Sequence, residues 1–262
     1  MFRRASSVLF LLAMALSPLT ANPLREAPNP SATPANQLAV SGNACGPTAL
    51  LNAFRFGNAD WQRAYQSIKG TTDKERIYTL IRESGMRPSN HLKGHTRWSR
   101  RGVNIADLCD MANETTRGRM LPLVSQEVLF LKKGETPEKL LRRVQQRLDV
   151  SLSKGLPPVL SLRRYVRRGS AWVALDAHFV TLTSLPKKLG KGARSFPVTY
   201  ADPWGGKIRS GTIAIPDRPV LSDPAGVSPC LEADFPQSSV GKKLVHPGEQ
   251  STLTLSAALG RW

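Results

Sequence analysis

The segment that organises this chain of 262 residues is 43–51, Asn-Ala-Cys-Gly-Pro-Thr-Ala-Leu-Leu. It predicts the start of an α-helix, because the fixed φ of Pro47 suits the first helical position and its missing N–H would be unpaired there anyway. The apolar residues Leu50, Leu51 and Phe54 then share one face, and Gly57 supplies a stop signal. Cys45 would lie where unpaired backbone N–H groups and the positive end of the helix dipole favour an anion. Such a position stabilises the thiolate, which is the nucleophilic form of cysteine.

Residues 1–21 read as a secretory signal peptide. Arg3 and Arg4 form a positive start, residues 8–16 are an unbroken apolar run, and Ala21 is a small residue suited to cleavage. The apolar run is too short to span a bilayer, and no later stretch is long enough. We therefore expect a protein that is exported to the periplasm or the outside and is not membrane-spanning.

The mature chain is expected to begin with a disordered leader at 22–36, followed by one domain at 37–262. The leader contains four prolines among Ala, Asn and Ser, a composition typical of disorder. The length of the remainder is within the range of one domain with a substantial core.

Periodic apolar residues predict helices first and strands second. Further helices are predicted at 60–68, at 72–85 after a Thr72 capping box, at 104–112, and from Thr136 through the stripe Leu140, Leu141, Val144 and Leu148. Strands are predicted at 158–166, 171–185, 196–200 and 207–215, and a long loop at 216–250. A helical first half followed by a run of strands indicates an α+β fold.

A histidine and an acid on these strands complete a catalytic set with Cys45. His178 lies in the strand-like run 176–182, and Asp202 lies at the end of a later strand, before Pro-Trp-Gly-Gly. A turn and a returning strand could bring Asp202 beside His178, although Asp176 is a second acid near that ring. A thiol, an imidazole and a carboxylate are the nucleophile, base and orienting group of thiol hydrolases.

These stretches resemble the papain-like cysteine peptidases, above all the branch related to the bacterial double-glycine (bacteriocin-processing) peptidases. The resemblance rests on Cys-Gly-Pro-Thr-Ala at 45–49, Ala-His-Phe-Val at 177–180 and Asp-Pro-Trp-Gly at 202–205, in the order Cys, His, Asp. It implies an N-terminal helical lobe carrying Cys45, packed on a C-terminal antiparallel β-sheet lobe carrying His178 and Asp202. The double-glycine peptidases are generally fused to export transporters and work on the cytoplasmic side, so their substrate class is not carried over to an exported chain.

The same resemblance implies a glutamine before the cysteine, whose amide helps to bind the tetrahedral oxyanion. Gln37 is the residue we assign to this role, although it lies farther from Cys45 than the family pattern places its glutamine. Asn43 and Ser41 are nearer polar alternatives. An oxyanion donor must point at one spot about 3 Å away, so the sequence leaves the choice between Gln37 and Asn43 open.

The remaining cysteines and histidines are expected to have structural roles or none. Cys109 and Cys230 are either simply buried or paired in a disulfide, since an exported protein can pair two cysteines and leave the nucleophile free. His91 and His95 have a spacing that suggests a metal site, but Gly94 and the basic neighbours argue against a helix there. We therefore predict no metal and no cofactor.

The chain is strongly basic, with a formal net charge of +18. Basic residues are concentrated at 87–101, 142–168 and 187–194. Such a field attracts anionic partners. The clusters are not interleaved with aromatic residues and no DNA- or RNA-binding motif occurs, so an anionic envelope surface is favoured over a specific nucleic acid.

The sequence therefore predicts an exported cysteine peptidase that cleaves a peptide or protein substrate through Cys45, His178, Asp202 and Gln37. Two alternatives remain open. The same triad could transfer an acyl group to an amine, as transglutaminase-type enzymes do, or the chain could be a basic binding module without turnover.

Overall fold

The computed structural model describes residues 23–41, 43–222 and 226–262. The signal peptide predicted for residues 1–21 lies outside the described residues. In the part of the chain that is described, no helix has both the length and the apolar character needed to cross a membrane.

Five α-helices precede most of the strands. The helices are Cys45–Arg55 (α1), Ala59–Ser67 (α2), Asp73–Leu80 (α3), Ile105–Thr115 (α4) and Pro137–Ser153 (α5). The strands are Leu24–Glu26 (β1), Trp98–Ser99 (β2), Gly102–Val103 (β3), Ser125–Val128 (β4), Val159–Arg168 (β5), Ala171–Pro186 (β6), Ser195–Asp202 (β7), Lys207–Ala214 (β8), Leu231–Asp234 (β9) and Ser251–Gly260 (β10). Short 3-10 turns occupy Gln37–Ala39 and Lys242–Leu244, and a π-helical turn, Ile81–Gly85, extends α3.

Six strands form a closed antiparallel barrel in the order β6-β5-β10-β9-β8-β7, with β7 pairing back onto β6. Strand β1 adds to β6, and β4 adds to β10. The predicted α+β, papain-like arrangement, a helical lobe packed on an antiparallel sheet lobe, is therefore wrong. The difference comes from β9, which lies in the predicted long loop at 216–250, and from β10, which was not predicted. These two strands bridge β5 and β8 and close the sheet.

The barrel strands contain irregularities that help them curve. Pairing shifts register at Arg164/Tyr165 between β5 and β6, at Leu182/Ser184 between β6 and β7, and at Leu255/Ala257 between β10 and β5. A β-bulge bends its strand and increases the local twist, which closure of a small barrel requires.

Two hydrophobic clusters stabilise the fold. The first joins the barrel to the apolar stripe of α5, and includes Leu140, Leu148, Leu162, Val180 and Leu255. The second joins α1 to α4 with a few barrel residues, among them Phe179 and Leu259. Helix α1 therefore packs directly against the barrel wall, on the side of β6.

The leader predicted to be disordered makes defined contacts over residues 23–36. Leu24 pairs with Pro186 at the end of β6, and the N–H of Ala35 donates to Asn52 Oδ1 at 2.7 Å. Arg55 also donates to the carbonyl of Thr33. These contacts attach the leader to both the barrel and α1, and local composition did not indicate them.

Candidate active site

Cys45 is the first residue of α1, two positions earlier than the predicted helix start at Pro47. Of the five α-helices in the described residues, α1 alone has no side-chain cap at its start, because its N-cap residue is Ala44. The other four begin at Asn58, Thr72, Asn104 and Thr136, each of which accepts a hydrogen bond from the first turn. The N-terminal N–H groups of α1 are therefore not occupied by a capping side chain beside the Cys45 thiol.

Two contacts position α1 against the barrel. A Cβ at Gly46 would come within 2.3 Å of Val103 Cγ1 and 3.4 Å of a Phe179 ring carbon, so only glycine permits this approach. One turn farther on, Thr181 Oγ1 donates to the carbonyl of Ala49 at 2.7 Å. Both Phe179 and Thr181 are on β6, the strand that carries His178, so these contacts set the position of the thiol relative to the imidazole.

His178 is buried and lies between Cys45 and Asp202. Its Nε2 is 2.8 Å from Asp202 Oδ1, and the ring lines the same cleft as Cys45. Because Nε2 faces the carboxylate, Nδ1 is the nitrogen left for the sulfur. Burial by itself lowers the pKa of His178, but its hydrogen bond to Asp202 and its electrostatic interaction with Cys45 outweigh burial and raise that pKa to about 9. The imidazolium is therefore the favoured form at neutral pH.

Asp202 is held by three groups at the end of β7. Besides His178, the backbone N–H of Trp204 donates to its Oδ1 at 2.9 Å, and Arg209 Nε lies 3.0 Å from its Oδ2. Asp176, the other acid near the ring in sequence, instead accepts the N–H groups of Ala177 and Gly241. Asp202 is therefore the carboxylate that orients His178.

Arg209 was not predicted from the sequence. It lies on β8, where Tyr200 pairs with Arg209 and Asp202 with Lys207, so Arg209 is the diagonal neighbour of Asp202 on the same face. The strand itself was predicted at 207–215; the unused signal was the tight Trp-Gly-Gly turn, which indicates that this strand pairs with the one that ends at Asp202.

The two candidates for an oxyanion donor differ in their surroundings. Asn43 lines the cleft, but its side-chain Nδ2 donates to the carbonyl of Arg100. Gln37 is fully buried beside the turn after Asp202, and its backbone N–H donates to the carbonyl of Pro203 at 2.9 Å. Gln37, the residue chosen from the sequence, is not among the residues that line the cleft, so its role as oxyanion donor stays a prediction.

Cys45, His178 and Asp202 open into a cleft of about 420 Å³. Besides the triad, the cleft is lined by Asn43 with Arg101 and Gly102, by Asp176 and Ala177 of β6, and by residues 238–241, 243 and 244. Trp204 also lines it, with its side chain partly exposed. This size and the burial of the charged pair are typical of a small ligand or substrate site.

The other two thiols lie in unreactive surroundings. All three cysteines are free, so the disulfide considered for Cys109 and Cys230 is not present. Burial, helped by the charge of Asp110, raises the pKa of Cys109 to about 11. Burial, helped by Glu232, raises the pKa of Cys230 to about 12. Neither thiol is a candidate nucleophile near neutral pH.

A second group of titratable residues lies beside the first turns of α4 and ranges from the exposed His91 to the buried Asp107. His91, Asp107 and Asp110 place possible metal-ligand atoms within 4.8 Å of one another. The carboxylate of Asp107 already accepts hydrogen bonds from Ser89 at 2.8 Å, and from Asn104. His91 Nε2 lies 3.3 Å from Asp110. These contacts give the cluster partners within the protein, and the sequence prediction of no metal stays a prediction.

Comparison with known proteins does not assign the chain to a family. No protein-family model matches the sequence, and no curated protein matches it significantly.

Proposed function

We propose that this protein is an exported cysteine peptidase that hydrolyses peptide bonds through Cys45, His178 and Asp202. The observation that carries the proposal is the position of His178, which is hydrogen-bonded to Asp202, interacts electrostatically with Cys45, and lines one cleft together with both residues. One hydrogen-bond partner, such as Asp202, is enough to satisfy a buried histidine. The further placement of a thiol near the ring, at a helix start without a side-chain cap, therefore favours a catalytic role. Export rests on the signal peptide predicted for residues 1–21.

The arrangement supports a complete hydrolytic cycle. The sulfur of Cys45, as thiolate, attacks the carbonyl carbon of a peptide bond, and a C–S bond forms while the carbonyl oxygen becomes an oxyanion. The oxyanion is stabilised by the backbone N–H of Cys45 and the side-chain amide of Gln37. The C–N bond then breaks, and the His178 imidazolium transfers its proton to the leaving amine.

The resulting thioester is released by water. Neutral His178 accepts a proton from the water as its oxygen attacks the acyl carbon. The C–S bond breaks, a carboxylic acid leaves, and the thiolate and imidazolium are restored. Asp202 holds the ring in place throughout. The cycle requires no cofactor or metal.

The resemblance to the papain-like cysteine peptidases accordingly concerns the three catalytic motifs and their order. It supports the assignment of roles to Cys45, His178 and Asp202, and to Gln37 as the oxyanion donor.

An electrophilic peptide probe tests the proposal. The mature protein should be labelled at Cys45, and Cys45→Ala should abolish labelling, whereas Cys109→Ser should leave it unchanged because that thiol is outside the cleft. A peptide library is then digested with and without an added amine and read by mass spectrometry. New termini establish a peptidase, and amine-linked products that dominate when amine is present establish acyl transfer. Neither product, with the fold intact, would favour the binding module.

We further propose that the basic clusters at 87–101, 142–168 and 187–194 hold the protein on an anionic envelope surface. Lys187, Lys188 and Lys191 are exposed, as association by charge requires. Binding to anionic vesicles should weaken steeply between low and physiological salt, because screening shortens the reach of the field. Binding that is independent of salt would point to a specific pocket instead.

A further inference from the structure

Around the cleft, the acidic side chains have partners that offset their charge, whereas two basic side chains do not. The acids that line it are Asp176 and Asp202, and the bases besides His178 are Arg101 and Lys243. Asp202 is opposed by His178 and by Arg209 Nε at 3.0 Å. Its negative charge is therefore already compensated behind the triad.

Asp176 is compensated as well. Its two oxygens accept the N–H groups of Ala177 and Gly241, at 2.8 and 2.9 Å. The charge of the buried Arg164 side chain also acts on Asp176. Neither acid is thus available to balance the two remaining cations.

Arg101 and Lys243 are both exposed, and neither takes part in any ion pair within the described residues. They come from distant parts of the chain, Arg101 from the turn of the β2–β3 hairpin and Lys243 from the 3-10 turn Lys242–Leu244. Two unopposed cations converging on one cleft favour an anionic ligand.

The backbone that carries each cation is fixed. Next to Arg101, the carbonyl of Arg100 accepts from Asn43 Nδ2, and Trp98 Nε1 donates to the carbonyl of Asn43 at 3.0 Å, which joins the hairpin to the residues before Cys45. Next to Lys243, Arg164 Nε donates to the carbonyl of Val240, and Gly241 N–H donates to Asp176. The two bases are therefore mounted on anchored segments at the cleft.

We propose that the cleft selects peptides with an acidic side chain close to the carbonyl that Cys45 attacks, and that Arg101 and Lys243 bind this carboxylate. The inference deepens the peptidase proposal and rests on it for the substrate class. The recognition of a carboxylate beside Cys45 can be tested whether or not peptides are hydrolysed.

The first experiment compares the alkylation of Cys45 by iodoacetate, which is anionic, and by iodoacetamide, which is neutral and nearly the same size. Arg101→Gln with Lys243→Gln should lower the iodoacetate rate by about tenfold and leave the iodoacetamide rate within about twofold of wild type. The difference should shrink as salt is raised. The matched control is Arg100→Gln with Lys191→Gln, which removes the same charge from exposed positions outside the cleft. An unchanged ratio of the two rates, or an equal loss in the control, would overturn the inference.

The second experiment measures kcat/KM for peptide pairs that differ only in Glu or Gln near the cleaved bond. Wild type should prefer the Glu peptide, and the double variant should lose that preference while it still cleaves the Gln peptide. Equal cleavage of both peptides by wild type overturns the acidic preference and leaves the peptidase proposal intact. Failure to cleave any peptide, with the alkylation difference present, contradicts the peptidase proposal and supports the carboxylate site.

Discussion

Helix α1 and strand β6 each supply one half of the Cys45–His178 pair, and different contacts position the two halves. Helix α1 belongs to the hydrophobic cluster formed with α2 to α4, and its apolar face is evident over a few turns of sequence. Strand β6 is held by pairing with β5, β7 and β1, and the residues that it pairs with range from Leu24 to Ala201. Different contacts therefore stabilise the element that carries the thiol and the element that carries its base, and the two elements pack on each other through Phe179 and Thr181 of β6.

The largest effect is expected when His178, the base on strand β6, is replaced. His178→Ala should lower kcat/KM for peptide hydrolysis by about 10³-fold or more, because no group then protonates the leaving amine. Alkylation of Cys45 by iodoacetamide at pH 6 should also slow, since the imidazolium no longer stabilises the thiolate. Stopped-flow alkylation with mass detection of the labelled peptide measures this. An unchanged alkylation rate would remove His178 from the pair.

A smaller loss is expected from the carboxylate behind the base. Asp202→Ala should reduce kcat/KM by about 10²-fold, less than His178→Ala, because the acid only orients and stabilises the imidazolium. Asp176→Asn is the matched control, since that acid is not hydrogen-bonded to the ring and should cost much less. If Asp176→Asn proves the more damaging of the two, the orienting acid has been misassigned.

The pH dependence of two rates, peptide hydrolysis and Cys45 alkylation, distinguishes the role of His178 from that of Cys45. Burial lowers the pKa of His178, but the interactions with Asp202 and Cys45 outweigh it and raise that pKa to about 9, so the imidazolium persists to that pH and is lost above it. We expect kcat/KM to fall by about tenfold per pH unit above that pKa, since the leaving amine then lacks its acid. Iodoacetamide alkylation should not fall there, because it needs the thiolate alone. A parallel decline of both rates would contradict this separation of roles.

The smallest effect is expected at the start of α1, where Gly46 lies against the β2–β3 hairpin and β6. Gly46→Ala places a Cβ within 2.3 Å of Val103 Cγ1 and should destabilise the fold by about 1–3 kcal/mol through overpacking. Gly190→Ala is the control, because no atom lies within 4 Å of the added Cβ and its φ is not positive. Urea denaturation midpoints measure both. Equal midpoints would show that α1 can move away from the hairpin at little cost.

The helices followed from local signals. The helix starts predicted at Asn104 and Thr136, the capping box at Thr72 and the apolar stripe of α5 are each confirmed by the structure, in which Asn104 and Thr136 are the N-cap residues. These features act over three to four residues along one helix, so they are readable without knowledge of the neighbours. The roles of Cys45, His178 and Asp202 were predicted from motifs at a helix start, within a strand and at a strand end, and the structure brings those three residues together.

Tertiary structure alone decided the closure of the barrel and the surroundings of the triad. Strand β9 is the four-residue segment Leu-Glu-Ala-Asp, which lacks β-branched and aromatic residues, and its pairing with β8 and β10 comes from packing and not from propensity. Arg209 reaches Asp202 only through the register of β7 with β8, and Lys243 reaches the cleft only because Asp176 and Arg164 anchor the segment before it. Contacts between different strands and loops leave no periodic pattern in the sequence. A helix cap or an apolar stripe does leave one, because its interacting residues are three or four positions apart on one helix.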